Sequence, residues 1–450
     1  PRAARALLLA GEQALAHFAT ADAEVLLTQA VDAAERIGAA ELLSRGLLSR
    51  GRAREISGAF RQALGDFHAG LATARTAGDR RHEMLALREL GGLTPTVLGV
   101  PVLECVSRLR DGLVIAGSLG DRAVEANLLA LLAIFHTNRL QFDEALRFGQ
   151  RAVAAGRASR SDQALAAGLD GLKNVYAYLG ESQPLTRAID ELQSVLSRLG
   201  DLALLQWAMF ESSVPAIAAA DWADAEHRMG DAVAISRRGG LVGHESWFIA
   251  HLGWLARLQG QLDLAVERGR EAVDLVPDAG RAWFGPGACA CLAGTLMELG
   301  DPAGAIELLD DGLRHANIDG AEGYRLRCLA PLAELSGDPA VLKEADALLA
   351  GITAPPGCAW MLGADVYLSV ARAWLGGGKP ERAREVLRPL LTAAERLGWE
   401  PVLATAGLVD GHAAGALGDR AAAQSLAAVA ERADRCGMPL VAAAARRTSS

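Results

Sequence analysis

The 450-residue chain has no run of about 18 uncharged apolar residues, the length a membrane-spanning helix needs, so no membrane partner is expected. The opening Pro1-Arg2-Ala3-Ala4-Arg5-Ala6-Leu7-Leu8-Leu9 is too short in its apolar run for a secretory leader. Glu12 stands where a cleavage site would fall, so the segment reads as a first helix. Positive charge is not in surplus: the net charge is −9 and the pI about 5.6. That argues against the basic stripe of a nucleic-acid groove, and no direct nucleic-acid contact is expected. Arginines alternate with Glu and Asp, as on a solvated surface laced with ion pairs. Cysteine is sparse. Cys105, Cys289, Cys291, Cys328, Cys358 and Cys436 form no C-x-x-C and have no histidine cluster beside them. They are expected as small buried apolar residues of a cytoplasmic protein, not as a disulfide framework or zinc site. Aromatic residues are only 5% of the chain, so any local concentration of them stands out.

Catalytic motifs are lacking too. Gly376-Gly377-Gly378-Lys379 ends like a phosphate loop, but Ala373 occupies the required upstream glycine and Pro380 replaces the Ser or Thr. His82-Glu83 and His244-Glu245 lack the second histidine of a metalloprotease helix. Ala116-Gly117-Ser118-Leu119-Gly120 misplaces the first glycine of a nucleophile elbow. No strand–turn–helix alternation exists to build a dinucleotide site. The expectation is therefore a non-enzyme without metal or cofactor.

What is present is a repeat. A turn followed by a small residue recurs as Gly58-Ala59-Phe60-Arg61-Gln62-Ala63, Gly260-Gln261-Leu262-Asp263-Leu264-Ala265 and Gly300-Asp301-Pro302-Ala303-Gly304-Ala305. It returns at Gly378 to Ala383 and Gly418 to Ala423, and without glycine at Leu140 to Ala145 and Ala220 to Ala225. The terminal alanines fall at 63, 145, 225, 265, 305, 383 and 423, one period of about 40 residues with some units substituted. Glycine ends one helix in the left-handed conformation. Asp or Pro opens the next. The alanine lets the two helices cross closely. Neither helix can bury its apolar face alone, but stacked pairs can. The expectation is one all-α solenoid over residues 1–450, with no independent second domain. Gly91-Gly92-Leu93-Thr94-Pro95, followed by Pro101, is expected to break a first helix, and Ala354-Pro355-Pro356-Gly357 to lengthen a link.

The unit resembles the tetratricopeptide repeat: Leu252-Gly253 in a first helix, Ala265 and Ala272 in the second, then Pro277. HEAT-like repeats share the period, and the Gly-to-Ala turn favours the tetratricopeptide. The resemblance implies a right-handed superhelical α-solenoid of about 10–11 helix pairs, first helices inside and second helices outside. The period departs from the usual 34 residues of that family. In style the chain also resembles the C-terminal sensor arm of large bacterial signal-transduction ATPases, LuxR-type or cyclase-linked. That implies attached ATPase or DNA-binding domains not present in this chain, and a sequence beginning at Pro1 is expected to be part of a longer regulator. The alternative is a stand-alone scaffold for protein assembly.

Alignment on the alanine anchors points to a binding surface for a protein or small-molecule ligand. Trp207 and Trp247 each lie 18 residues before their anchors, in one register of neighbouring first helices. Trp247, His251 and Trp254 share a helix face, as do Trp207, Phe210 and Val214. Trp283 and Phe284 extend the stripe, while Trp222 falls on an outer helix. Five of the eight tryptophans lie between 207 and 283. Two readings stay open: a ligand groove in the concave face, or rings filling the space between stacked helices. Glu245, Lys173, Asn174 and Arg372 are further candidates for polar contacts.

Overall fold

The structure, a computed structural model, describes residues 1–17, 19–98, 100–239, 242–276, 281–352 and 364–449. Among the described residues there are twenty-four helices and no strand. They form eleven consecutive pairs and a closing helix. The first five pairs are α1 (Arg2–Ala16) and α2 (Thr20–Arg36), α3 (Ala40–Ile56) and α4 (Phe60–Ala77), α5 (Arg80–Leu98) and α6 (Val102–Leu119), α7 (Arg122–Asn138) and α8 (Phe142–Ser159), α9 (Asp162–Leu179) and α10 (Ser182–Leu199). In the sixth, α11 (Leu202–Glu211) and the short α12 (Val214–Ala218) together precede α13 (Trp222–Gly239). Then come α14 (Val242–Leu258) and α15 (Leu262–Leu275), α16 (Arg281–Glu298) and α17 (Pro302–His315), α18 (Glu322–Ser336) and α19 (Pro339–Ala350). The last are α20 (Ala364–Gly376) and α21 (Pro380–Leu397), α22 (Glu400–Ala416) and α23 (Ala422–Arg435), and the closing α24 (Pro439–Ser449).

The turn chemistry behaves as its residues dictate. Gly58, Gly180, Gly260, Gly300, Gly337, Gly378 and Gly418 all take positive φ between helices of a pair. Asp201, Asp301 and Asp338 cap the helices that follow with their carboxylates. The crossing position carries buried residues at 23, 63, 105, 145, 185, 225, 265, 305, 342 and 383. Cys105, Leu185 and Leu342 fill the places where the alanine is replaced, so the period of about 40 runs through them. In the eleventh pair the register slips by one: Ala423 is exposed and Ala422 is buried instead.

The expected break at Gly91-Gly92-Leu93-Thr94-Pro95 is not there, because α5 runs unbroken from Arg80 to Leu98. Gly91 serves packing, not termination: a Cβ on it would lie 2.6 Å from Leu109 Cγ on α6. Pro101 does mark a boundary, as the residue before α6. Ala354-Pro355-Pro356-Gly357 lies outside the described residues.

Three turns manage without glycine. Leu140, Arg160 and Ala220 take φ of 61°, 55° and 59°. For an L-residue with a side chain that conformation costs about 1–2 kcal/mol. Arg160 is exposed at the end of α8, so replacing it removes no packing. Arg160→Gly is expected to raise stability by about 1 kcal/mol, less any extra chain entropy of the unfolded glycine. The check is the urea midpoint at unchanged m-value; a midpoint that stays put or falls contradicts the strain at this turn.

The array winds back on itself. Helix α5 of the third pair packs on α16 of the eighth, α7 of the fourth on α18 of the ninth, and α12 of the sixth on α22 of the eleventh. Each contact joins first helices five pairs apart, so about five pairs complete one turn of the superhelix. Side chains fasten successive turns. Tyr324 Oη donates to Asn138 Oδ1 at 3.1 Å, Trp399 Nε1 to the Gly180 carbonyl at 3.0 Å, and Trp222 Nε1 to the Cys436 carbonyl at 2.6 Å. One apolar cluster reaches continuously from Leu48 to Ala413. The concave side is therefore an interior, largely filled by the chain's own side chains.

Candidate functional site: an arginine-lined cavity on the concave side

The position 18 residues before each crossing residue forms a row along the first helices. Read through Leu342 and Ala383, the row is Trp207, Trp247, Gly287, Tyr324 and Asp365. Most of the aromatic candidates join into one ladder along it. Trp207 meets Phe210 at 5.9 Å between ring centroids, Phe210 meets His251 at 5.4 Å, and His251 meets Trp247 at 4.8 Å. Trp247 continues to Phe284 at 6.2 Å and to Tyr324 at 6.3 Å. Trp283 meets Tyr324 at 4.8 Å and Phe135 of the turn below at 6.1 Å. Phe210, Trp247 and His251 are fully buried, Trp254 and Phe284 nearly so, and Trp207 and Trp283 half-buried. These rings pack helix to helix.

Trp254 stands apart from the ladder, and with His251 it lines a cavity of about 70 Å³ between α14, α16, α18 and α20. Several waters or a small organic group fit such a volume. Its wall carries Arg257, Glu298, Arg327, Asp365 and Arg372, a dense set of charges for an interior. Asp365 accepts from Trp254 Nε1 at 2.9 Å and pairs with Arg257 Nη2 at 2.5 Å. Burial pulls the Arg257 pKa down, but the Asp365 and Glu298 carboxylates more than offset it, and the guanidinium is held above its usual value. Arg372 lies 3.8 Å from Glu334, whose carboxyl burial pushes up against the pull of Arg372. His251 Nδ1 bonds the Trp247 carbonyl at 2.7 Å and so carries the proton. Burial drives its pKa down to about 3, and the Arg327 charge adds to that, so the ring is neutral at pH 7.

Arg327 differs from the other two arginines. It is 6% exposed. Its guanidinium carbon lies 4.8 Å from the Trp247 ring centroid, a cation–π stack. Among the described residues no acceptor reaches its Nε or Nη2, nor Trp247 Nε1. Gly287 makes the room: a Cβ there would lie 2.5 Å from Trp247 and 3.1 Å from Arg327 Nη1.

The remaining polar candidates separate. Arg372 lies on the cavity wall. Glu245 is tied to Arg237 at 2.6 Å, away from it. Lys173 and Asn174 belong to a different buried cluster, where Lys173 Nζ sits 2.6 Å from Glu211 and 2.9 Å from Asp170, and Asn174 donates to Glu211 at 3.2 Å. Arg257, Arg327 and Asp365 did not emerge from the sequence. The register itself carried a signal for two of them: Asp365 lies 18 before Ala383, and Arg327 lies three past Tyr324, which is 18 before Leu342. Of the six cysteines, Cys105, Cys289, Cys328 and Cys436 are buried, Cys291 lines the cavity, and Cys358 lies outside the described residues. Among the described residues no group of His, Cys, Asp or Glu is arranged to hold a metal ion. No helix among them is long and apolar enough to cross a membrane.

The sequence matches no protein-family model, and no curated protein resembles it. Solved structures do. A Rap protein complexed with competence and sporulation factor superposes with a TM-score of 0.50 at 13% identity, covering 88% of this chain and 98% of that one. Yeast Tom70 gives 0.37 at 13% identity over 90% and 95%. A signal-transduction ATPase with numerous domains and a tetratricopeptide-repeat sensor, from Pyrococcus horikoshii, gives 0.42 at 14% identity over 80% of this chain and 54% of that one. The fold is that of a tetratricopeptide-type helical-repeat solenoid.

Proposed function

We propose that the chain is a non-catalytic ligand-binding solenoid serving as the sensor arm of a larger bacterial ATP-dependent transcriptional or signalling regulator. The observation that carries this reading is the placement of a charged cavity among first helices whose neighbours also hold successive turns together. Tyr324, in the aromatic ladder beside Arg327, bonds Asn138 five pairs away. Trp254 and Arg257 on α14 reach across to Asp365 on α20. A ligand in the cavity contacts side chains on α14, α16, α18 and α20 at once, so its affinity depends on how tightly those pairs are wound. A ligand with different affinities for two windings shifts the population between them. A domain attached to either end then feels the shift.

The test is the ATPase rate of the full regulator encoded around this chain, measured with and without a ligand that binds the cavity. The expected result is a change of rate that disappears when the cavity is altered. Binding that leaves the rate untouched overturns the sensor reading. A reading frame that begins with Met directly before Pro1, with no phosphate-loop sequence in it, supports the stand-alone scaffold in its place.

A further inference from the structure

Arg327 is a cation buried to 94% with no carboxylate paired to it among the described residues. A buried guanidinium without a counter-charge is strongly unfavourable, and such groups are normally paired. Of the nearby carboxylates, Asp365 pairs with Arg257, Glu334 lies 3.8 Å from Arg372, and Glu298 stands on the cavity wall. The unmet atoms at this spot are four donors, Arg327 Nε and Nη2, Trp247 Nε1 and Arg257 Nε, against one acceptor, Glu334 Oε2. Excess buried donors call for an acceptor, and next to a fixed cation that acceptor is an anion.

The geometry is more specific than charge. Nε and Nη2 form one edge of the guanidinium, the edge that takes both oxygens of a carboxylate in parallel bonds. The same chain shows the arrangement completed: Arg50 holds Asp66 through Nε and Nη2 at 2.9 and 2.7 Å. Arg327 itself lines a cavity of about 70 Å³. That volume suits a small acid, and the Glu298 and Asp365 carboxylates on the same wall disfavour a multiply charged anion. Trp254 and Met297 supply apolar wall for a short carbon chain. We propose that the cavity between α14, α16, α18 and α20 binds a small monocarboxylic acid, its carboxylate held by the guanidinium of Arg327. This names the ligand class for the sensor reading above and rests on it for its regulatory meaning, but not for the binding itself.

The experiment titrates the purified chain with sodium propionate against sodium chloride and sodium phosphate at matched ionic strength. The readouts are the thermal midpoint and the tryptophan fluorescence. Propionate is expected to raise the midpoint and change the fluorescence, where chloride and phosphate do neither. Arg327→Met keeps the length of the side chain and removes the charge. It is expected to abolish the propionate response while leaving the ligand-free midpoint equal or higher, since an unpaired buried charge has gone. Arg327→Lys keeps the charge without the two-donor edge and is expected to weaken binding about tenfold or more. It also decides the matter should Arg327→Met fail to fold. A second arm replaces propionate with a short capped peptide containing one Asp. If only the peptide binds, and Arg327 carries it, the carboxylate site stands and its source is a peptide. An Arg327→Met or Arg327→Lys protein that responds like wild type overturns the site, as does a wild type that treats both propionate and the peptide like chloride. Propionate binding with no effect on the attached ATPase leaves the site in place and removes only the sensor reading.

Discussion

Trp399→Ala is expected to lower stability by about 3–5 kcal/mol, the range for truncating a fully buried large aromatic, and to loosen the winding of the whole array. The indole is 1% exposed at the start of α22. Its Nε1 donates to the Gly180 carbonyl at 3.0 Å, at the turn between α9 and α10. Arg396 adds an ion pair to Glu181 at 3.0 Å across the same junction, but that pair is exposed and contributes little. The indole therefore carries most of this clip between the fifth pair and the eleventh. A solenoid with nearest-neighbour contacts alone melts piecemeal, because each pair senses only its neighbours. Contacts five or six pairs apart couple distant pairs and sharpen the transition. The variant should thus show a broader melt, faster amide exchange around Gly180, and a larger radius of gyration in small-angle scattering. Trp399→Phe, which keeps a ring and loses the bond, should cost about 1–2 kcal/mol and leave the dimensions unchanged. If Trp399→Ala loses stability but keeps a sharp melt and its wild-type radius, the indole is ordinary packing and the turns are held by something else.

How much of this was legible in the sequence differs from feature to feature, for physical reasons. The pairing of helices was legible because two local constraints recur: a left-handed turn residue, and a crossing where a large side chain is awkward. Where one constraint is met by an unusual residue the signal fades. Leu140 and Ala220 hold positive φ without being glycine, and Cys105 and Leu185 fill the crossing without being alanine. Gly91 was legible as a glycine but not as a packing glycine, because its reason is Leu109 on another helix. The winding was not legible at all. It accumulates from small rotations between pairs, and no single residue announces that the third pair will touch the eighth. That closure sets Trp283 against Phe135 of the turn below, while the rest of the aromatic stripe packs between neighbouring first helices. The cavity lay in between. Trp254 and His251 were found from the register, whereas Arg327 sits three residues past Tyr324, whose place in the row appears only when Leu342 stands in for the alanine.

Lys173→Met is expected to destabilise the chain by about 3–5 kcal/mol at neutral pH, the range for removing one partner from a buried ion pair. Lys173 is 1% exposed and Glu211 equally so. The ammonium sits between two carboxylates, Glu211 at 2.6 Å and Asp170 at 2.9 Å. Burial pulls the Lys173 pKa down, but those two carboxylates more than offset it and hold it above its usual value. With one cation shared by two anions, Glu211 is the member that strains: burial pushes its carboxyl up against the pull of Lys173, and Asp170 adds to the push. Methionine fills the same space and leaves buried Glu211 facing half-buried Asp170. The sign of the pH dependence follows. A carboxyl whose folded pKa is raised above the unfolded one stabilises most below the unfolded value, near 4.5 for Glu211. That contribution is lost as pH rises through the folded pKa. Lys173→Met raises the folded pKa of Glu211 further, so its penalty should be large at pH 7 and shrink toward pH 4.5, where Glu211 enters the fold protonated. Lys173→Met combined with Glu211→Gln should recover most of the loss at pH 7, because no unpaired carboxylate is left on α11. Denaturant unfolding of the wild type and both variants at the two pH values measures this. A Lys173→Met penalty that is the same at both, or that the double variant does not relieve, would show that Lys173 acts through packing and not through charge.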